Sequence, residues 1–428
     1  MRSMLAVSHC WNDRVYRSVA YLISLALFAP ALQAYSVLTH EAIIDTAWDA
    51  DLQPLLLRRY PQSTPGDLRH AHACAYAGSI VQDLGYYPFG NRFFSDLLHY
   101  VRTGDFVLNL IAEAHSLNEY AFALGALAHY AADTQGHGVA VNRSVALQYP
   151  ALARKFGPSV TYADDRGAHI KVEFGFDVSQ VARGNYAPEA YHDFIGFQVE
   201  RGVLERAFRD TYSMELADLF DDLDLALATY RHAVSVVIPA VTRAAWHLKR
   251  DELAKAQPAV TKRQFVYNLS RASYRKEWSG KYRRPGTGTR VLAFLLHILP
   301  RIGPLQVLQF RPPTSRTTAL FEASFDRALH QYRQFLASES THTLALENRD
   351  FDTAGPTRAC EYRLADRAYA RLARQLASAP GAPNAALVEN VLDFHGDPPS
   401  PCPAPNSPED WQQTLAALRK LRAPLPPR

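Results

Sequence analysis

The residues best suited to chemistry in this chain are His129, Asp133 and His137, which follow one another at intervals of four positions. The run before them, residues 120–127, is rich in alanine and leucine and predicts a helix. Residues four apart on a helix lie on one face, so His129 and Asp133 should point the same way. Imidazole and carboxylate groups offered together are zinc ligands by type and reach. The alternative is a helix whose polar residues make ordinary hydrogen bonds, and this spacing alone does not decide between the two.

A second pair at the same spacing, His169 and Glu173, lies in a stretch that fits two structures. The alternation of Ile170, Val172 and Phe174 with polar residues indicates a strand. On a strand, residues four apart are about 13 Å apart and cannot share one ion. On a helix they are about 6 Å apart. A shared metal ion therefore requires a helix here, and the pattern leaves both structures open.

The elements that must position these groups are predicted mainly as helices. Eight of the sixteen histidines lie between positions 35 and 173, which places any histidine chemistry in that part of the chain. Amphipathic helices are predicted later in the chain, over residues 187–253, 319–337, 361–376 and 411–421. The Pro-rich stretch 380–408 is predicted to be irregular.

The composition is that of a globular protein of 428 residues, with 48% hydrophobic and 21% charged residues. The net charge of +4 is small for this length and does not indicate a nucleic-acid partner. A basic segment, residues 271–290, precedes an apolar stretch, 291–299, and the two together could lie on an anionic lipid surface. A core helix after a solvated loop is the interpretation we favour.

The N-terminus is typical of an export signal, with two arginines, an apolar run and small residues: Arg14, Arg17, residues 19–28, Ala29, Ala31 and Ala34. Cleavage after Ala34 would make Tyr35 the first mature residue, and cleavage after Ala31 is the alternative. The apolar run is too short for a good membrane span, and no other stretch is expected to be long enough. We therefore expect an exported soluble protein, either secreted or periplasmic.

Three cysteines remain outside the leader: Cys74, Cys360 and Cys402. They contain no Cys-x-x-Cys pair, which excludes a thiolate zinc finger. One disulfide can form in an oxidising compartment, and Cys360–Cys402 is the pair that we favour.

Nine landmarks form an ordered series along the chain: Tyr35, His40, Asp83, His99, His129, Asp133, His137, His169 and Glu173. This series resembles the zinc-dependent phospholipase C family and its relatives, the single-strand-specific zinc nucleases. The resemblance spans residues 35–177 and implies an all-α, multi-helix bundle. We accordingly divide the chain into a signal peptide (1–34), a phospholipase C-like helical domain (35–310) and a helical C-terminal extension with a Pro-rich segment (311–428).

The resemblance also implies three zinc ions, each with its own ligand group. The groups are Asp83, His99, His129 and Asp133 for the first ion; the Tyr35 amine and carbonyl, His40 and a bridging Asp133 for the second; and His137, His169 and Glu173 for the third. In such a site, metal-activated water attacks phosphorus in line, and the third zinc neutralises charge on the leaving oxygen. Asp83 would accept the proton of that water.

The expected function is a zinc-dependent phosphodiesterase of phospholipase C type, acting on a phospholipid or another phosphodiester, with transient membrane-surface contact. Aromatic residues near Asp83 are our candidates for the substrate wall: Tyr86, Tyr87, Phe89 and Phe93. The alternatives are a zinc nuclease or phosphomonoesterase on the same scaffold, or a non-catalytic zinc-binding helical protein. The small net charge weighs against nucleic acid. The third ligand group, with only three protein ligands, leaves an open position that favours catalysis.

Overall fold

The computed structural model of the chain describes residues 37–186, 195–256, 303–379, 381–397, 399, 402 and 408–423. The expected leader, Tyr35 and the segment 271–299 lie outside the described residues, so export, the terminal ligand and the lipid-surface segment stay predictions.

The described residues are helical and form no β-strand, although an isolated antiparallel bridge joins Arg349 and Pro356. The helices in chain order are α1 (Val37–Ala47), α2 (Gln53–Arg59), α3 (Pro65–Gly78), α4 (Arg92–Tyr100), α5 (Thr103–Ala112), α6 (Leu117–Gly136), α7 (Asn142–Gln148), α8 (Pro150–Phe156), α9 (Arg166–Ala182), α10 (Arg201–Tyr212), α11 (Leu223–His232), α12 (Ile238–Ala256), α13 (Ser315–Ser340), α14 (Arg363–Ser378), α15 (Ala385–His395) and α16 (Pro408–Arg422). Short turns of 3₁₀-helix (Val81–Tyr86, Leu216–Asp218, Gly303–Gln309) and π-helix (Trp48–Leu52, His137–Val141, Ala233–Val237) fill several connections. The all-α prediction is confirmed.

Helix α6 is the central element of the molecule, and every residue from 120 to 134 is buried. A helix that is buried on all sides needs small residues where its neighbours approach. A Cβ atom on Gly125 would lie 2.2 Å from the carbonyl oxygen of Ala75, so α3 and α6 can touch only because that residue is glycine. On another side, the Tyr332 hydroxyl of α13 donates a hydrogen bond to the Leu124 carbonyl at 2.9 Å.

One hydrophobic core runs from Val37 in α1 to Leu418 in α16. The C-terminal extension therefore packs on the same core as the N-terminal helices. A smaller cluster joins α9 and α12 through Phe174, Val241 and Phe310.

Three predicted C-terminal helices are confirmed as α13, α14 and α16. The irregular structure predicted for residues 380–408 is wrong for Ala385–His395, which forms α15. No proline interrupts this segment, and Asn384 caps its first turn by accepting a hydrogen bond from the Ala386 amide at 2.9 Å. The favoured disulfide, Cys360–Cys402, is also confirmed.

The continuous helical stretch Leu223–Ala256 is long and apolar enough, by length and composition alone, to cross a bilayer. The expectation that no stretch beyond the leader reaches that length is therefore wrong. Its most apolar segment is 67% buried inside the protein, which is typical of a core helix.

Candidate metal centre

Helix α6 supplies the middle of a buried polar centre, because His129 and Asp133 lie on its inner face and His137 follows at its C-terminal end. The other groups come from α1, the 3₁₀ turn after α3, α4 and α9: His40, Asp83, His99, His169 and Glu173. Each of these eight residues is at most 3% exposed. The structure thus brings together every predicted ligand that lies among the described residues.

Asp133 lies between the histidines of the first two groups. Its Oδ1 atom is 3.4 Å from Nε2 of His40, and its Oδ2 atom is 3.1 Å from Nε2 of His129. His99 completes the contact, with Nε2 3.3 Å from Asp83 Oδ1 and 3.6 Å from Asp133 Oδ2. One carboxylate therefore faces two sets of donors through its two oxygens, which fits a bridging ligand.

The third group is built on α9, which settles the question that the sequence left open. The segment 166–182 is a helix, so His169 and Glu173 share a face, with His169 Nε2 3.1 Å from Glu173 Oε1. His137 reaches the same oxygen from α6 at 3.2 Å. Donor atoms of these three residues lie within 4.8 Å of one another, the spacing of a shared ion.

Backbone carbonyls fix the tautomer of three histidines in this centre. Nδ1 of His99 lies 2.8 Å from the Ser95 carbonyl, and Nδ1 of His129 lies 2.9 Å from the Ser79 carbonyl. Nδ1 of His137 lies 3.0 Å from the carbonyl of Phe351. Because a carbonyl can only accept, each Nδ1 carries the proton and each Nε2 keeps its lone pair for a metal in the neutral ring.

Several inward-facing atoms make no hydrogen bond within the described part of the chain: both carboxylate oxygens of Asp83 and of Asp133, Nε2 of His129 and Oε1 of Glu173. Burying a polar atom without a hydrogen bond costs of order 1–3 kcal/mol. Nitrogen and carboxylate donors in sets of three or four are the ligands that Zn²⁺ prefers. The residues present therefore fit zinc.

The pKa values of the centre show how strongly its charges depend on one another. Burial alone would lower the pKa of His99, but Asp133 and Asp83 raise it to about 10. Burial would raise the pKa of Glu173, but His169 and His137 keep it below its usual value. The metal-free centre therefore holds protons on imidazole rings, and zinc binding must displace them.

Residues 39–222 match the family model described as zinc dependent phospholipase C. This segment, less than half of the chain, is similar to the members of that family. The resemblance found in the sequence is thus confirmed, and zinc is the cofactor of the family. No curated protein and no solved structure matches the chain.

The aromatic residues proposed as a substrate wall lie in three different environments of the phospholipase C segment. Tyr86 lines the cavity beside the metal centre, with its ring centroid 5.7 Å from that of His99. Tyr87 is buried in the core against Tyr230, and Phe93 is 1% exposed in the same core. Phe89 is 56% exposed at the tip of the loop. Of the four candidates, Tyr86 lines this cavity and the other three do not, and their contact with a substrate stays a prediction.

Asp352 joins the centre from outside the segment that matches the phospholipase C family. Its Oδ1 atom lies 3.3 Å from Nδ1 of His137, and its Oδ2 atom accepts hydrogen bonds from the hydroxyls of Tyr100 and Tyr362. The backbone carbonyl of Asp352 accepts a hydrogen bond from Nδ2 of the Asn142 side chain at 2.7 Å. Burial would raise the pKa of Asp352, but the contact with His137 lowers it to about 2.

Phe351 packs against both sides of the centre. Its amide donates a hydrogen bond to the His99 carbonyl at 3.1 Å, and its ring centroid lies 5.3 Å from that of His99 and 5.9 Å from that of His129. Sequence reasoning missed Phe351 and Asp352, since they follow the last landmark by more than 170 positions and belong to no local motif.

Proposed function

We propose that this protein is an exported zinc-dependent phospholipase C that hydrolyses the glycerol–phosphate ester of a phospholipid and uses three zinc ions. The observation that carries the proposal is the family match over a segment whose buried donors form three groups with inward-facing lone pairs. An export route is supported by the disulfide Cys360–Cys402, since such bonds persist in oxidising compartments.

Three groups of residues would hold the three zinc ions. Asp83, His99, His129 and Asp133 would hold one zinc, and His40 with Asp133 a second, to which the Tyr35 terminus contributes. His137, His169 and Glu173 would hold the third. When bound, zinc supplies a Lewis acid for the phosphate and lowers the pKa of water to about 7.

The side chains around the cavity would accept a proton from the attacking water and keep the histidine rings in place. Asp83 lies at the cavity wall, where its carboxylate can accept the proton of the attacking water. The backbone bonds to Nδ1 of His99 and His129 hold those rings in one orientation throughout the reaction. Asp133, buried and in contact with three histidines, keeps its charge and fixes their spacing.

The cavity beside the metal ligands is too small for an acyl chain. Its volume is about 20 Å³, which holds roughly one water molecule. The wall includes Tyr86, Tyr162 and the carboxylate of Asp352. Acyl chains must therefore remain outside, and the scissile phosphate must approach through the rim.

The experiment is hydrolysis by the purified, zinc-loaded protein of a short-chain phosphatidylcholine, single-stranded DNA and p-nitrophenyl phosphate. We expect release of diacylglycerol, loss of activity with a zinc chelator, and recovery on adding zinc. Cleavage of DNA or of the monoester without cleavage of lipid would replace the phospholipase assignment with the nuclease or monoesterase alternative. No hydrolysis of any substrate by the zinc-loaded protein would overturn it.

A matched pair of variants tests the assignment of the third group. His115 and His169 both precede a glutamate by four residues, but the His115 side chain is 68% exposed and that of His169 is 2% exposed. We expect His169→Ala to lose at least a hundredfold in kcat together with one bound zinc ion, and His115→Ala to retain both. Equal behaviour of the two variants would contradict the assignment.

A further inference from the structure

Two exposed arginines lie beside one tyrosine at the rim of the metal cavity. Nη2 of Arg92 donates a hydrogen bond to the Tyr162 hydroxyl at 2.9 Å, and the guanidinium carbon of Arg166 lies 5.9 Å from the centroid of the Tyr162 ring. Tyr162 lines the cavity, and its ring centroid is 5.5 Å from that of His169. A single aromatic ring therefore separates both cations from a metal ligand.

Both arginines are placed by the helices that carry metal ligands. On α9, Arg166, His169 and Glu173 follow at intervals of three and four positions, which puts them on one helix face. On α4, Arg92 and His99 are seven positions apart and share a face in the same way. At 1.5 Å per residue, the backbone of Arg166 lies about 5 Å along the helix axis from that of His169. The backbone of Arg92 lies about 10 Å along the axis from that of His99.

Neither of these arginines is held in an ion pair with an acid of the described residues. Among the described residues, neither guanidinium lies within 4 Å of a carboxylate oxygen in an ion pair. The charge of Asp96, one turn after Arg92 on α4, acts on Arg92 from beyond that distance. Partial burial lowers the pKa of Arg166, and the positive charge of nearby Arg92 lowers it further. Two neighbouring guanidinium forks that are in no ion pair form a site for a carboxylate or a phosphate.

We propose that Arg92 and Arg166 bind a second anionic group of the substrate, beside the phosphodiester that the metal centre takes. This inference rests on the proposed function and deepens it. The preferred substrates are lipids whose headgroup carries a carboxylate or a further phosphate. Headgroups with only a cationic amine gain nothing from the two arginines.

A matched pair of lipids tests the proposal. Dihexanoyl phosphatidylserine and dihexanoyl phosphatidylethanolamine differ by one carboxylate, and as monomers below their micellar concentration they present no charged surface. We expect wild-type protein to prefer the serine lipid. In the double variant Arg92→Gln, Arg166→Gln we expect kcat/KM to fall at least tenfold on the serine lipid and less than twofold on the ethanolamine lipid.

The control variant is Arg154→Gln, which removes an exposed arginine of α8 that does not line the cavity. It should leave the ratio of the two lipids unchanged. A tenfold loss on both lipids in the double variant would show a general structural effect and overturn the subsite. An effect seen only on anionic vesicles, and not on monomers, would assign the arginines to membrane attraction and overturn it as well.

A binding measurement separates failure of the subsite from failure of the phospholipase assignment. Calorimetry of the zinc-loaded protein with O-phosphoserine and O-phosphoethanolamine should show tighter binding of phosphoserine, and the double variant should lose the difference. That result supports the subsite even if wild-type protein cleaves neither lipid. Equal binding of the two compounds by wild-type protein, or binding of neither, would overturn the proposal.

Discussion

Replacing Asp352 by asparagine removes the negative charge that lies behind His137 and keeps the shape of the side chain. The asparagine keeps the size of the side chain, and its carbonyl oxygen can still accept from the hydroxyl of Tyr100 or Tyr362. Nδ1 of His137 keeps its carbonyl partner, Phe351, so the tautomer should persist. The variant therefore isolates the contact of 3.3 Å between carboxylate and imidazole.

The size of the effect follows from the position of Asp352 behind a predicted zinc ligand. Loss of such an outer partner costs about 10–100-fold in metal affinity. Because the carbonyl bond to His137 survives in Asp352→Asn, we expect the lower end, about tenfold or about 1.4 kcal/mol, for one zinc ion. Asp352→Ala would also leave two tyrosine hydroxyls without their acceptor and should cost about 2–4 kcal/mol in stability.

The neighbouring acid supplies the control. Asp350 is 2% exposed, and burial together with the charge of Asp352 raises its pKa to about 8. It is therefore mostly protonated at pH 7, and Asp350→Asn removes little charge there. Competition with a chromophoric chelator should show a weakened zinc ion in Asp352→Asn and unchanged affinities in Asp350→Asn. Unchanged zinc affinity in Asp352→Asn, with wild-type stability, would refute the role given to this residue.

Three further predictions concern the wall, a buried acid and the central helix. Tyr86→Ala should raise KM several-fold, whereas Tyr87→Ala should leave KM unchanged and lower stability by about 3–5 kcal/mol, as steady-state kinetics and thermal unfolding will show. Burial raises the pKa of Asp96 to about 6, so the folded state binds its proton more tightly than the unfolded state does. The contribution of Asp96 to stability therefore falls as pH rises from about 4 to about 6. Asp96→Asn should therefore raise the melting temperature at pH 7.5, by the equivalent of about 2–3 kcal/mol, and change it little at pH 4. Gly125→Ala places a Cβ atom 2.2 Å from the Ala75 carbonyl oxygen. It should lower the free energy of unfolding, measured by chemical denaturation, by at least about 3 kcal/mol. Wild-type stability of this variant would contradict the close contact of α3 and α6.

The ligand set could be predicted from sequence because much of it is local. His129, Asp133 and His137 repeat with the period of a helix, and a helix places them together whatever surrounds it. For His169 and Glu173 the local pattern also fitted a strand. Every residue of α9 from Val172 to Val181 is buried, so its apolar residues are not confined to one helical face. The other predicted ligands, His40, Asp83 and His99, were found from their order along the chain, because no short spacing links them.

The remaining features depend on contacts between distant parts of the chain. Asp352 reaches His137 only because α13 packs along α6 and returns the chain across the centre. Tyr86 and Tyr87 are adjacent and chemically identical, and only the geometry of the 3₁₀ turn decides which one faces the cavity. No periodic signal in the sequence carries that information.

The central claim is that the buried donors of α1, α4, α6 and α9 hold a cluster of zinc ions. Anomalous diffraction at the zinc edge, from crystals of the purified protein, tests it most directly. The account predicts three peaks in the centre, about 2.0–2.1 Å from the histidine nitrogen atoms that face them. A zinc-supplemented crystal without a peak among these side chains would contradict it.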